Sequence, residues 1–204
     1  MPKYKTVVID PPWPITSNIG SLKKYARPDT RHKPAYQRPL NKGQYYDRMS
    51  IQEILEFPIN EFADNESLLF VWCTNGRTAC KVSTMKTALE ILEQNDFQQF
   101  SIITWNKPIG ASVFSPIINL TEHCVVGYRG NYNNLINKNY AVMKSRFKTE
   151  HQVYHSQKPA KFYQMLRAWT PEPRIDIFAR QRHYGFDGWG NEYVGEGPLA
   201  EWLE

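Results

Sequence analysis

Apolar residues along this chain gather in short runs separated by polar stretches, and the runs are of two kinds. Residues 7–9, 67–73, 100–105, 122–128 and 174–179 are short runs rich in apolar residues. Each run predicts a strand, and the continuous apolar run of residues 67–73 predicts a central one covered on both faces. Between them the spacing changes to that of helices. Ser50-Ile51-Gln52-Glu53 is a capping box, with Ile51, Ile54 and Leu55 facing inward and Pro58 as the stop. Residues 78–95 place Ala79, Val82, Met85, Leu89 and Leu92 at helical spacing, and Pro159 opens a helix with Phe162, Met165, Leu166 and Trp169 as its stripe. A short strand is predicted over residues 152–154, and residues 186–193 close the core. Strands alternating with helices predict one α/β domain over residues 1–204, with a mostly parallel central sheet and helices on both faces.

Two stretches, residues 14–48 and 129–149, show no apolar period and are predicted to be basic mobile loops. In the first, Lys23, Lys24, Arg27, Arg31, Lys33, Arg38, Lys42 and Arg48 stand against only Asp29 and Asp47, with Tyr25, Tyr36, Tyr45 and Tyr46 interleaved. Cations mixed with aromatics suit nucleic acid, through phosphate pairing and base stacking. A solvated loop produces the same composition, and the pattern alone leaves both open.

Composition narrows the classes. The 204 residues carry a net charge of +5, which permits a polyanionic partner without demanding one. The three cysteines (Cys73, Cys80 and Cys124) form no CxxC pair, and their odd number argues against a disulfide framework. His151 and His155 have no cysteine or carboxylate at metal-ligand spacing, so no metal is expected. There is no signal-peptide pattern and no apolar run of membrane-spanning length, so the expectation is a soluble, cytoplasmic protein with no membrane partner.

The densest chemistry follows the first strand, at Asp10-Pro11-Pro12-Trp13. Prolines cannot donate to a ladder, so Asp10 is predicted at a strand's carboxyl end, where open α/β sheets place ligands. A carboxylate, a rigid acceptor carbonyl and an aromatic plate suit a flat ring bearing an amino group. Asn75, Asn106 with Lys107, Arg180 and Lys158 are predicted near the same edge.

Asp10-Pro11-Pro12-Trp13 resembles the DPPW signature of adenine-N6 methyltransferases, and nearly the whole chain resembles one family of them. That family is typified by the S-adenosylmethionine-binding catalytic subunit of the mRNA adenosine methyltransferase and has bacterial and phage relatives. Leu69-Phe70-Val71-Trp72, Trp105-Asn106-Lys107, Glu122-His123-Cys124 with Val126-Gly127, and His155-Ser156-Gln157-Lys158-Pro159 resemble its motifs in order. So do Ile175-Asp176-Ile177-Phe178-Ala179-Arg180 and Trp189-Gly190-Asn191-Glu192, although the family often has glycine where this chain has Ala179.

The resemblance implies a Rossmann-like methyltransferase fold in permuted order, with the catalytic motif before the cofactor motifs. It implies catalysis by Asp10, Pro11, Pro12 and Trp13, and S-adenosylmethionine contacts from Asp10, Lys158, Phe178, Arg180, Asn191 and Glu192. The expected nucleic-acid contacts are Lys23, Lys24, Arg27, Arg31, Lys33, Arg38, Lys42 and Lys107. The minimal domain looks like the bacterial and phage branch, where DNA is the usual substrate; RNA is the alternative. A catalytically inactive nucleic-acid-binding subunit is the other class, and a homodimer or a partner chain is compatible with either.

Overall fold

β2 (Ala63–Thr74) is the hub of the sheet, and it buries every residue from Ser67 to Cys73. A strand can be this apolar only when both faces are covered and both edges are paired. On one side it pairs in parallel with β1 (Tyr4–Ile9); on the other it pairs antiparallel with β4 (Thr121–Arg129). The computed structural model describes residues 3–14, 49–76, 81–107, 119–138, 143–149, 158–180 and 182–190.

Outward from β4 come β3 (Gln98–Asn106), antiparallel to it, and β5 (Arg146–Lys148), parallel to β3. Outward from β1 come β6 (Arg174–Ile177) and β7 (Asp187–Trp189), each parallel to its neighbour. The described order is β5-β3-β4-β2-β1-β6-β7. The sheet is mixed but mostly parallel, because β4 alone of these strands runs against the rest. An antiparallel neighbour needs no crossover helix, and the sequence between β3 and β4 has no helical period.

Period-2 alternation divides the core into two layers. Val7 and Ile9 of β1, Leu69 and Val71 of β2, Val125 of β4 and Ile175 and Ile177 of β6 point to one face. There they meet α1 (Ile51–Leu55), α2 (Ile59–Phe62) and α3 (Thr84–Gln94). Val8, Phe70, Trp72, Trp105, Cys124 and Val126 point to the other face and meet α4 (Ala160–Trp169). Trp72, Trp105 and Trp169 are core residues, as their neighbours in the sequence predict.

The capping box is present in full. Glu53 N donates to Ser50 Oγ at 3.2 Å and Ser50 N donates to Glu53 Oε2 at 2.7 Å. Three expectations need correction. First, α3 starts at Thr84, not residue 78. Lys81 is left-handed (φ 63°) and Ser83 is the N-cap, so the helical spacing of Val82 is not used. Second, the stretch predicted as a loop over residues 129–149 contains a 3₁₀ turn (Tyr132–Asn134) and β5. Leu135 and Phe147 are buried there against α4 and Trp105; two isolated apolar anchors leave no period to read. Third, β6 stops at Ile177, because Phe178 turns left-handed (φ 62°) and redirects the chain. The strand predicted over residues 152–154 and the basic stretch from Lys23 to Arg48 lie outside the described residues.

Candidate active site

The chain leaves β1 towards β2 and leaves β6 towards β7, in opposite directions across the sheet. The carboxyl ends of β1 and β6 therefore flank a topological switch point, the position at which parallel α/β sheets open a ligand crevice. Asp10 follows β1 directly, and its N–H donates to Ile177 O on β6 at 3.3 Å. Arg180 follows β6 on the other side of the crevice. The sequence predicts this edge, and these two residues are on it.

The prolines shape the floor. Trp13 N donates to Pro11 O at 2.7 Å and Met49 N donates to Pro12 O at 3.2 Å, so both proline carbonyls already accept a bond. Each carbonyl keeps a second lone pair. Trp13 differs from expectation. It is buried in the core below β1, and its Nε1 donates to Trp72 O at 3.1 Å. In this conformation its ring is a structural wedge and not an open plate.

A chain of four charges runs along the same edge of the sheet, from Asp10 after β1 to Glu122 on β4 and Lys107 after β3. Lys158 Nζ lies 2.8 Å from Asp10 Oδ2 and 3.4 Å from Glu122 Oε2, and Lys107 Nζ lies 3.0 Å from Glu122 Oε1. None of the four side chains is more than 15% exposed. Lys158 arrives from the residue before Pro159, the N-cap of α4, and its ammonium sits 5.3 Å from the Trp72 ring centroid. Glu122 and Lys107 come from the start of β4 and just past the end of β3. Glu122 is opposite Thr74 on one side and Trp105 on the other.

The electrostatics follow from burial and pairing. Burial pushes the Asp10 carboxyl upward; the charges of Lys158 and Arg180 pull it back, and Glu122 adds to the rise. Burial opposes the Lys158 charge, but Asp10 and Glu122 outweigh it and hold the ammonium firmly protonated. Burial opposes ionisation of Glu122 as well, yet Lys158 and Lys107 together bring its carboxyl below its usual value. The result is a nearly neutral, largely buried group of charges, which acts more strongly than the same groups would in water.

Several expected roles look different here. The sequence suggests that Lys107 contacts nucleic acid, but the side chain is largely buried and paired with Glu122. Lys158 is engaged by two carboxylates of the protein. Phe178 packs 4.9 Å from Phe57 and 5.6 Å from Trp189, ring centre to ring centre. Asn191 and Glu192 lie outside the described residues, as do Lys23, Lys24, Arg27, Arg31, Lys33, Arg38 and Lys42. Residue patterns alone assign Glu122 no role; the signal for it is an acid beginning an otherwise apolar strand.

The residues match one family over 4–192 of the 204 positions, MT-A70. The chain belongs to the MT-A70 family. This is the family of the catalytic subunit of mRNA N6-adenosine methyltransferase and its relatives, which are S-adenosylmethionine-dependent adenine-N6 methyltransferases. No match is found among curated proteins. The crevice fits the methyl donor of such an enzyme on the chemistry of its groups. A zwitterionic amino-acid end needs both signs of charge, and Asp10, Lys158 and Arg180 provide them. Trp72 Nε1 beside Lys158 is a buried donor with no partner among the described residues. No helix among the described residues is long and apolar enough to cross a membrane, and no cluster there could hold a metal ion.

Proposed function

We propose that this protein methylates the exocyclic N6 amine of adenine in DNA, with S-adenosylmethionine as donor and Asp10 as the catalytic carboxylate. The observation that carries the reading is the placement of Asp10. It is a mostly buried carboxylate at the switch point, tied by its N–H to β6 and by its side chain to Lys158 at 2.8 Å. The DNA assignment rests on the resemblance to the bacterial and phage branch, and the net charge of +5 is compatible with a polyanion. The order of the strands, with the DPPW strand first and β6 and β7 last, supports a permuted arrangement of the methyltransferase fold.

The donor supplies an electrophilic methyl group on a sulfonium. With donor bound, the N6 lone pair would form the new N–C bond as the S–C pair returns to sulfur, and one proton would pass from N6 to solvent. The products are N6-methyladenine and S-adenosylhomocysteine. The amine is a weak nucleophile because its lone pair is delocalised into the ring. A hydrogen bond from N6–H to Asp10, and a second to the remaining lone pair of a proline carbonyl, stabilise the positive charge that develops on nitrogen. Positioning for in-line transfer supplies most of the remainder. The amine is out of reach inside a duplex, so the base is flipped out or single-stranded. We also assign substrate contacts to the basic stretch from Lys23 to Lys42.

The test is methyl transfer from labelled donor to duplex DNA, single-stranded DNA, structured RNA and unstructured RNA, followed by nucleoside analysis. N6-methyladenine in DNA is the expected result. The same nucleoside only in RNA would overturn the DNA assignment. Donor binding with no transfer to any of them would point to a missing partner or a very selective site, and neither transfer nor donor binding would favour the inactive-subunit reading.

A further inference from the structure

Asp10 and Glu122 both face Lys158, but in the proposed reaction only Asp10 touches the substrate. Glu122 is the more unusual of the two. It sits at the second residue of β4, nearly enclosed, and divides its oxygens between two lysines: Oε1 to Lys107 at 3.0 Å and Oε2 to Lys158 at 3.4 Å. A surface ion pair contributes little to stability, and a buried one is often no better than an apolar substitute. A buried four-membered charge chain ending on the proposed acceptor therefore calls for a role beyond stability.

We propose that Glu122 is a positioning residue for methyl transfer: by sharing the Lys158 ammonium, it preserves the hydrogen-bond acceptor strength of Asp10. The inference rests on the assignment of Asp10 as the carboxylate that receives N6–H. Methyl transfer moves positive charge onto N6, beside Asp10. A lysine committed wholly to Asp10 at 2.8 Å would cancel the negative charge that this step uses. With Glu122 3.4 Å away on the other side, the ammonium has a second counter-ion and can lean towards it when the amine engages Asp10. Lys107 then keeps Glu122 ionised and fixed in place.

The groups that act on Asp10 come from every neighbouring element. Lys158 lies at the start of α4 and Arg180 follows β6; Glu122 begins β4. Asp176 on β6, Tyr163 on α4, Cys73 on β2 and Cys124 on β4 also feel its charge. Of the carboxylates, Glu122 is the one that raises the Asp10 carboxyl directly. Replacing it by glutamine removes that push and leaves Lys158 to Asp10, so the Asp10 carboxyl should titrate at lower pH.

The experiment compares wild type, Glu122→Gln and Glu122→Asp by three readouts: donor affinity by calorimetry, kcat against pH, and titration of the Asp10 carboxyl carbon by NMR. In Glu122→Gln, donor Kd should stay within about twofold. The plateau kcat should fall at least about tenfold, and both the acid limb and the NMR titration should move to lower pH. Glu122→Asp should recover much of both effects. A wild-type kcat in Glu122→Gln overturns the proposal. So does a reduced kcat with an unmoved Asp10 titration, which is the signature of a merely structural role. The NMR arm does not depend on turnover. If the titration moves but wild type makes no N6-methyladenine, the enzyme reading fails and the coupling between the two carboxylates stands without it.

Discussion

The Lys158 ammonium lies 2.8 Å from Asp10 Oδ2, joining residues that are 148 positions apart in the chain. One end of this contact is fixed by the prolines that stop β1, the other by the proline that caps α4. Two strand-and-helix boundaries thus converge on one ion pair, and the energetics of the crevice depend on it.

Replacing Lys158 by methionine should be costly for the fold as well as for turnover. It would leave Asp10 and Glu122 buried without their shared cation, a situation worth on the order of 3 kcal/mol. The expected outcome is a lower urea midpoint at pH 8. The deficit should shrink towards pH 5, because the two carboxylates can then take up protons. A deficit independent of pH would show that the loss is one of packing.

The contact between Lys158 and Asp10 is not legible in the sequence as a pattern, since no periodicity links two residues so far apart. What is legible is local. The apolar run ending at Asp10 and the run of residues 67–73 are strands that need two covered faces, and the capping box at Ser50 marks a helix start by its own chemistry. The stretch of residues 129–149 is illegible for the converse reason: Leu135 and Phe147 are lone apolar anchors whose burial depends on α4 and Trp105, elsewhere in the chain. The edge of the sheet that carries Asp10 and Arg180 is legible, because Asp10 directly follows β1 and Arg180 comes three residues after β6. It is misleading at Lys107, where charge suggests solvent or phosphate and the structure supplies Glu122.

Asp176 offers a test of the layer beneath the crevice. It accepts a hydrogen bond from Tyr163 Oη at 2.8 Å, and its Oδ1 has no partner among the described residues. Burial pushes its carboxyl up to about 8, despite the Tyr163 bond. An acid whose folded pKa is raised is stabilised in its neutral form. The Asp176 contribution to stability should therefore fall as pH rises from about 4 to about 8, and level off above that. Asp176→Asn keeps the bond from Tyr163 and cannot ionise. Its advantage over wild type should grow with pH and be larger at pH 8.5 than at pH 5 by more than about 1 kcal/mol. Parallel stability curves for the two proteins would refute this.

Gly190, having no Cβ, lets the end of β7 approach the turn that carries Arg180 closely. A Cβ there would lie 2.6 Å from Ala179 O and 2.9 Å from Ala179 N, both rigid backbone atoms. Gly190→Ala should cost about 1–3 kcal/mol through overpacking and should weaken donor binding more than it slows turnover at saturating donor. Unaltered donor affinity would separate this turn from the cofactor site.

Salt dependence distinguishes the two kinds of lysine. Neutralising Lys23, Lys24, Arg27, Arg31, Lys33, Arg38 and Lys42 should flatten the slope of log affinity against log salt by nearly one unit for each phosphate the protein no longer neutralises. Lys107→Ala should leave that slope unchanged, because its charge is committed to Glu122. A flattened slope for Lys107→Ala would place that side chain on phosphate after all.

The central claim is that Asp10 receives the adenine amine, and a single-turnover comparison of wild type with Asp10→Asn tests it most directly. Both proteins are loaded with labelled donor, mixed with DNA, and followed by nucleoside analysis. The expected result is N6-methyladenine from wild type and at least about a hundredfold slower transfer from Asp10→Asn at saturating donor. N6-methyladenine at the wild-type rate from Asp10→Asn would contradict it.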